Sequence, residues 1–326
     1  MSREFRAGAH RRRVTALAIL TFLAMTGTVL TGCAPSGIDS ERLRPTAQPV
    51  YPQLKTNPDI PVTSNVEYGN PGGTPILLDV CFPKEAADGT QNQSPRPAVV
   101  AIHGGSWRAG DKSNVSWRSI CQWLASAGFV TFSIDYRLAP AFTFPAQIED
   151  VRSAVSWIRD SDQVTRYNID PNRIGVFGGS AGGNLAALVG TEGNGPLTVG
   201  SRVAAVAELS GPTDLTAAGL RRGIPPPDFQ QLELDYLHCP SFGGCDNALG
   251  ASPLYQVDPT DPPFFIGHSV QEYIPIQQSD AMVAALRKAA VDVTYVTVKG
   301  TAHSIAMLDN PLRAKIVAFL HDKLGD

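Results

Sequence analysis

The chain has 326 residues, of which 43% are hydrophobic and 17% charged, and its net charge is −3. This composition supports a sizeable core and excludes a chain that is disordered throughout. Residues 1–32 carry five arginines and one acid, so the rest of the chain is mildly acidic. An acidic body offers no basic surface, and we therefore expect no nucleic-acid partner.

The N-terminal segment 1–32 is predicted to be a targeting signal. An arginine-rich start precedes an apolar stretch from Val14 to about Leu30, and Leu-Thr-Gly-Cys ending at Cys33 resembles the bacterial lipobox. This resemblance implies a lipid-modified Cys33 and a membrane-anchored protein that faces the extracytoplasmic side. A secretory signal that releases the protein and an uncleaved anchor are the alternatives, and the export route, Sec or Tat, stays open. The apolar stretch is short for a membrane span.

The segment after the signal is predicted to be a flexible tether, because residues 33–61 are rich in proline and lack periodicity. One domain is then predicted at 62–326. It begins with a β-hairpin formed by Asn65–Tyr68 and Thr74–Phe82, whose turn is rich in glycine. Ala98–Ile102 is a continuous apolar run and is predicted to be a parallel strand buried on both faces.

The cysteines are interpreted in the light of export, since an oxidising compartment permits disulfides. If Cys33 is acylated, four cysteines remain. Cys239 and Cys245 flank a loop of turn residues, which predicts a local disulfide. Cys81 and Cys121 form a second disulfide or remain two buried thiols, and both interpretations stay open. No Cys-x-x-Cys pair or histidine cluster accompanies them, so we expect no metal site.

The strand Ala98–Ile102 runs into the sequence His-Gly-Gly-Ser-Trp at 103–107. Two adjacent glycines, Gly104 and Gly105, let the backbone approach a ligand closely and direct amide N–H groups at it. Alone, the pattern would indicate only a glycine turn. It indicates a binding or catalytic loop only if a nucleophile motif follows later in the chain.

A serine follows at a predicted strand-to-helix turn, in the run Gly-Gly-Ser-Ala-Gly-Gly at 178–183. This is the nucleophile-elbow pattern, in which Ser180 is held in a strained conformation above the sheet edge. Glycines two residues before and two after the serine avoid collisions within the tight turn. The following helix directs its N-terminal amides at whatever binds there.

Strands and helices alternate along the domain, which predicts a mostly parallel sheet with helices on both faces. The further strands are predicted at Phe129–Ile134, Arg173–Phe177, Val203–Leu209, Pro263–Gly267 and Val293–Val298. The helices are predicted at Asn114–Ala127, Phe144–Arg159, from Asn184 onwards, Ile276–Ala289 and Asn310–Leu324. Residues 211–263 form a proline-rich insertion in which only Phe229–Leu237 has a helical pattern. We expect it to cap the site, and a surface loop without function is the alternative.

Residues 97–190 resemble the hormone-sensitive-lipase-like branch of the α/β-hydrolase superfamily, with its ferulic-acid-esterase-like (BD-FAE) and kynurenine-formamidase-type relatives. The matching pieces are His103–Trp107, Tyr136–Pro140, Phe144–Asp150 and Gly178–Asn184. Hormone-sensitive-lipase relatives usually have aspartate where this chain has Gly179, which favours the ferulic-acid-esterase-like side. The resemblance implies the α/β-hydrolase fold and a serine hydrolase with Ser180 as nucleophile. It also implies an oxyanion hole built from the amides of Gly104, Gly105 and Ala181.

The base and the acid should follow the serine, because this fold has the chain order serine, acid, histidine. His303 lies in the loop after the last predicted strand, where the fold presents its base. The acid should follow Pro263–Gly267, and the only carboxylate there is Glu272, where relatives usually have aspartate. Asp214, after the preceding strand, is the rival acid and is otherwise a helix N-cap. The alternative for Glu272 is an exposed loop charge.

The function that the resemblance implies is hydrolysis of carboxylic esters with short-to-medium acyl or aryl groups, through an acyl-enzyme. We expect no metal or organic cofactor. Trp107 and the insertion are expected to limit the size of the substrate. The alternatives are an arylformamidase-like amidase and a non-catalytic lipoprotein of the same fold that only binds ligands.

Overall fold

The computed structural model describes Tyr51, residues 53–84 and residues 94–325. The predicted signal at 1–32, the predicted lipidation site Cys33 and most of the predicted tether lie outside the described residues. No helix within the described part is both long enough and apolar enough to cross a membrane.

The described strands form one eight-stranded sheet. They are β1 Val62–Gly69, β2 Ile76–Cys81, β3 Arg96–Ile102, β4 Val130–Ile134, β5 Ile169–Gly179, β6 Ala205–Leu209, β7 Phe264–Ser269 and β8 Val293–Val298. Their spatial order is β1-β2-β4-β3-β5-β6-β7-β8. The β1–β2 and β2–β4 pairs are antiparallel, and all other pairs are parallel. The parallel strands therefore end at one edge, where the loops of the candidate site follow.

Helices cover both faces of the sheet. They are α1 Val115–Ser126, α2 Ala146–Arg159, α3 Ser161–Tyr167, α4 Ala181–Thr191, α5 Pro227–Leu237, α6 Asn247–Gly250, α7 Gln277–Lys288 and α8 Asn310–Leu324. Successive residues of β3 alternate between two core clusters: Val100 and Ile102 pack with α2 and α4, whereas Val99 and Ala101 pack with α1 and α8. A strand buried on both faces has this pattern. The predicted α/β-hydrolase fold is confirmed.

The structure corrects several of the predicted elements. The strand predicted from Val203 begins at Ala205, and the strand predicted at Arg173–Phe177 spans Ile169–Gly179. The helix α3 was not predicted, and the insertion holds the one-turn helix α6 in addition to the predicted α5. Helices of four to seven residues are too short to produce a helical period in the sequence, so pattern alone does not reveal them.

Two disulfides are present in the described domain. Cys239 is bonded to Cys245 beside α5, within the insertion. Cys81 of β2 is bonded to Cys121 of α1, and both residues are fully buried. The second bond joins an antiparallel strand near the sheet edge to a helix, with 40 residues between its ends.

The Cys81–Cys121 bond should contribute more stability than the Cys239–Cys245 bond, because a longer closed loop restricts the unfolded chain more. In the loop-entropy model the two bonds contribute roughly 4 and roughly 2 kcal/mol. Thermal unfolding of the Cys81→Ala/Cys121→Ala and Cys239→Ala/Cys245→Ala variants should show the larger fall in Tm for the first pair. Wild type with both disulfides reduced serves as a control, because it lacks the bonds and keeps the cysteine side chains. Equal losses for the two pairs would contradict this expectation.

Candidate active site

Ser180 lies at the turn between the end of β5 and the start of α4. Its backbone has φ 58° and ψ −124°, a conformation that costs energy for a residue with a side chain. A Cβ at Gly178 would lie 2.0 Å from the carbonyl oxygen of Gly182, and one at Gly182 would lie 2.1 Å from that of Ile102. Only glycine fits at either position, so the elbow depends on both.

The loop that holds Gly104 and Gly105 lies directly against this elbow. A Cβ at Gly104 would lie 2.8 Å from the carbonyl oxygen of Gly179 and 3.2 Å from the Cβ of Ser180. Gly105 has φ 124° and is equally tight against the carbonyl oxygen of Ala109. In the described part of the chain, neither glycine donates its amide N–H to a backbone carbonyl. Two donors are thus available beside the serine, as an oxyanion hole requires.

His103 holds this loop in place rather than serving as a base. Its Nδ1–H donates to the carbonyl oxygen of Gly104 at 2.8 Å, and its ring stacks on Tyr136 at 4.2 Å. The Tyr136 hydroxyl donates to the His103 carbonyl at 2.9 Å. Burial lowers the pKa of His103, so the imidazole is neutral. A neutral ring with Nδ1 protonated is the form that the hydrogen bond requires.

Trp107 has a different environment from the predicted one. Its side chain is fully buried and stacks on Tyr236 of α5, with ring centroids 4.2 Å apart and planes inclined by 3°. Phe229 of the same helix lies 6.4 Å away. Trp107 therefore joins the oxyanion loop to the insertion. Its predicted contact with substrate stays a prediction and would require α5 to move.

Glu272 and His303 form a buried hydrogen-bonded pair. The Nδ1–H of His303 donates to Oε2 of Glu272, whose side chain has no exposed surface. The alternative interpretation of Glu272 as an exposed loop charge is therefore wrong. The rival acid Asp214 is engaged elsewhere, because Arg222 and Tyr255 each donate to its Oδ2 at 3.0 Å.

The other oxygen of Glu272 is held by groups that the sequence did not point to. The Ser210 hydroxyl donates to Oε1 at 2.5 Å and accepts a hydrogen bond from the Ser304 amide at 3.1 Å. The Nε2–H of His268 donates to the carbonyl oxygen of Ile274 at 3.0 Å, and Nε2 also lies 3.1 Å from Oε1 of Glu272. Burial lowers the pKa of His268, so this ring is neutral. Ser210 thus holds Glu272 by a hydrogen bond and His268 packs beside it, and no local pattern in the sequence marks either residue.

The catalytic candidates follow four adjacent strands: Ser180 follows β5, Ser210 follows β6, Glu272 follows β7 and His303 follows β8. The elbow touches the histidine loop, because a Cβ at Gly179 would lie 2.1 Å from the Ser304 hydroxyl oxygen.

The second ring nitrogen of His303, Nε2, is buried, and it has no hydrogen-bond partner among the described residues. The ring centroid of Tyr273 lies 4.3 Å from that of the imidazole. Burial raises the pKa of the Tyr273 hydroxyl, and the nearby Ser180 side chain counteracts this shift. Tyr273 therefore lies against the base and close to the serine.

A further carboxyl group, Glu208 of β6, lies behind the site. It is fully buried, and its Oε2 accepts a hydrogen bond from the Gly211 amide at 2.8 Å. Burial raises the pKa of Glu208 to about 8, and the charge of Glu272 adds to this shift. Glu208 is therefore mainly protonated at neutral pH. No group of three or more His, Cys, Asp or Glu residues within the described ranges suits a metal ion.

Comparison with known proteins gives one family and several esterases. The BD-FAE family model matches residues 78–286. Esterase LipQ of Mycobacterium tuberculosis is 31% identical over 273 residues, which are 81% of this chain and 62% of LipQ. Bovine arylacetamide deacetylase is 43% identical over 100 residues, which are 30% of this chain and 25% of that protein. The chain spans 50% to 62% of the length of LipQ and of the mycobacterial relatives LipM and LipC.

Solved structures show the same fold. A truncated carbohydrate esterase from gut microbiota has a TM-score of 0.70 and 25% identity, covering 83% of this chain and all of its own. The esterase Est2 of Thermogutta terrifontis has a TM-score of 0.62 and 24% identity, covering 81% of this chain and 91% of its own. The second likeness supports the fold alone.

Glu208 should make the stability of the protein depend on pH. Because its pKa is raised on folding, protonated Glu208 favours the native state, and that contribution is lost as pH rises from about 4.5 to about 8. The loss is at most roughly 1.4 kcal/mol per pH unit in this window. Glu208→Gln keeps the shape of the side chain and removes its titration. The Tm of the variant minus the Tm of wild type should therefore increase steadily from pH 5 to pH 8. A constant difference across this range would contradict the raised pKa of Glu208.

Proposed function

Because the chain belongs to the BD-FAE family and has the α/β-hydrolase fold, we propose that it is a serine hydrolase that cleaves carboxylic esters. The observation that carries the proposal is the buried Glu272–His303 hydrogen bond next to a strained Ser180. A strained serine, an imidazole from an adjoining loop and a carboxylate that orients the imidazole are the groups that an activated nucleophile requires. The substrates proposed are esters with short-to-medium acyl or aryl groups.

The first half of the reaction forms an acyl-enzyme. The Ser180 hydroxyl oxygen attacks the ester carbonyl while its proton passes to Nε2 of His303. Glu272 holds the Nδ1–H of the ring, which leaves Nε2 as the basic nitrogen and stabilises the imidazolium. For this step the Ser180 hydroxyl must donate a hydrogen bond to Nε2 of His303.

The oxyanion that forms on the carbonyl is held by backbone donors. The amides of Gly104 and Gly105 lie beside Ser180, and that of Ala181 begins α4. Loss of one such donor typically costs about 3 kcal/mol of transition-state stabilisation. The imidazolium then protonates the leaving alcohol, and water attacks the acyl-enzyme with His303 again as the base.

Hydrolysis of aryl amides is the second candidate. It is favoured by the match to bovine arylacetamide deacetylase, which is 43% identical over 100 residues. The same residues would act, since an amide also passes through a tetrahedral oxyanion. Comparison of phenyl acetate with acetanilide under one set of conditions separates the two activities.

The cellular setting is also part of the proposal. A lipid-anchored, extracytoplasmic enzyme modified at Cys33 is consistent with two disulfides in the described domain, since such bonds persist in oxidising compartments. The insertion is proposed to cap the site. Phe229 of α5 supports this role, because its ring lies 6.4 Å from Trp107 on one side and 5.6 Å from Tyr273 on the other.

Ser180→Ala should abolish hydrolysis of p-nitrophenyl acetate, with a loss on the order of 10³-fold or more, because no other group supplies the nucleophile. A fluorophosphonate probe should label wild type at Ser180 and leave the variant unlabelled. Activity of the variant within about tenfold of wild type would refute the assignment. An unlabelled wild type would instead favour a binding-only protein.

Glu272→Ala should reduce kcat/KM far more than Asp214→Ala. The first variant removes the group that orients the imidazole, which typically costs on the order of 10⁴-fold. The second breaks the ion pair with Arg222, so its main effect should be a lower Tm with activity within about tenfold of wild type. Steady-state kinetics on folded variants provide the test. The reverse order would transfer the acid role to Asp214.

A further inference from the structure

Tyr273, the residue after Glu272, lies against the base of the proposed proton transfer. Its ring centroid lies 4.3 Å from that of His303, with the planes inclined by 43°. The residue is nevertheless 42% exposed, so part of it faces solvent beside the catalytic candidates. An exposed ring in this position is accessible to a substrate.

The chemistry of the proposed reaction places the leaving alcohol beside this ring. His303 must pass its proton to the leaving oxygen, which therefore comes within hydrogen-bond reach of Nε2. That nitrogen is buried, and among the described residues it has no other partner to displace. Because Tyr273 lies against the same imidazole, its ring is within reach of an alcohol bound at Nε2.

A second aromatic ring, that of Phe229, packs against Tyr273, and the two rings together form an aromatic wall. Phe229 of α5 meets Tyr273 edge-on, with centroids 5.6 Å apart and planes inclined by 63°. The insertion also touches the loop of Tyr273 directly, because a Cβ at Gly223 would lie 2.4 Å from the Cβ of Pro275. Tyr273 and Phe229 thus come from different segments and are held together by close packing. Phe229 is 5% exposed, so Tyr273 offers most of the accessible aromatic surface.

We propose that Tyr273 and Phe229 form an aromatic leaving-group subsite, so that the preferred substrates are esters of aromatic alcohols. The inference rests on the proposed esterase function. Aromatic rings favour offset-stacked or edge-to-face partners over aliphatic ones of equal size. When the ester binds, its alcohol ring packs on the Tyr273 ring.

The test compares benzyl acetate with cyclohexylmethyl acetate. Both leaving groups are primary alcohols with a six-membered ring and are matched in size, although benzyl alcohol is the slightly stronger acid. That difference in acidity is the same for wild type and variants, so it cancels when their ratios are compared. Wild type should prefer the benzyl ester by about three- to tenfold in kcat/KM, the range expected for an aromatic pair. Tyr273→Leu should bring the ratio close to one, and Tyr273→Phe, which keeps the ring, should retain it. Phe229→Leu should lower the ratio in part.

Two controls separate this effect from a general loss. Tyr255→Leu removes a tyrosine of similar exposure, 45%, in the insertion and should leave the benzyl preference unchanged. The ratio between benzyl acetate and benzyl butyrate should be the same in wild type and Tyr273→Leu, because the acyl chain lies on the other side of the reacting carbon.

A wild-type ratio near one, a ratio unchanged in Tyr273→Leu, or an effect that follows the acyl chain would overturn the subsite and leave the esterase function intact. No hydrolysis of any of these esters by wild type would overturn the proposed function and the subsite with it. Measured Tm values establish that each variant is folded.

Discussion

The rest of the site depends on one fully buried carboxylate, that of Glu272. A buried charge without partners costs several kcal/mol, so its surroundings must supply donors from more than one direction. Here the donors are the Ser210 hydroxyl after β6, the Nδ1–H of His303 after β8 and the Ser269 amide at the end of β7. Satisfying the carboxylate therefore fixes the segments that follow β6, β7 and β8 relative to one another. The orientation of the imidazole is a consequence of that packing.

What the sequence could predict is what depends on local geometry. The elbow can be predicted because a side chain at Gly178 or Gly182 would collide with the backbone of the same short turn. The spacing of the two glycines in the sequence is therefore enough to indicate the turn. The sheet can be predicted because buried parallel strands appear in the sequence as continuous apolar runs. In both cases a short segment contains the whole physical reason. The prediction of Glu272 has another basis, because the family resemblance implies an acid after β7 and Glu272 is the one carboxylate there.

What the sequence could not predict depends on contacts between distant segments. Ser210 and Glu272 are 62 residues apart, and nothing near Ser210 indicates a hydrogen bond to the acid. Trp107, which follows Gly104 and Gly105, is predicted to limit the size of the substrate, and that role stays a prediction. Its burial under α5 has no signal in the sequence, since the course of a proline-rich insertion follows from tertiary packing and not from periodicity. Tyr273 belongs to no sequence motif, and its proposed role in substrate binding follows only from its position against His303.

The proposed catalytic residues and the proposed substrate-binding residues belong to different parts of the fold. Catalysis and substrate recognition therefore depend on separate segments. The proposed triad and oxyanion donors stand at the ends of buried strands, so they are held by the core. The aromatic wall is built from α5 and the loop of Tyr273, which meet at the surface through Phe229 and Gly223. A change in the insertion can therefore alter which alcohol fits without moving the carboxylate that orients the base. For this reason we look for substrate preference in the insertion and for catalytic competence in the strand ends.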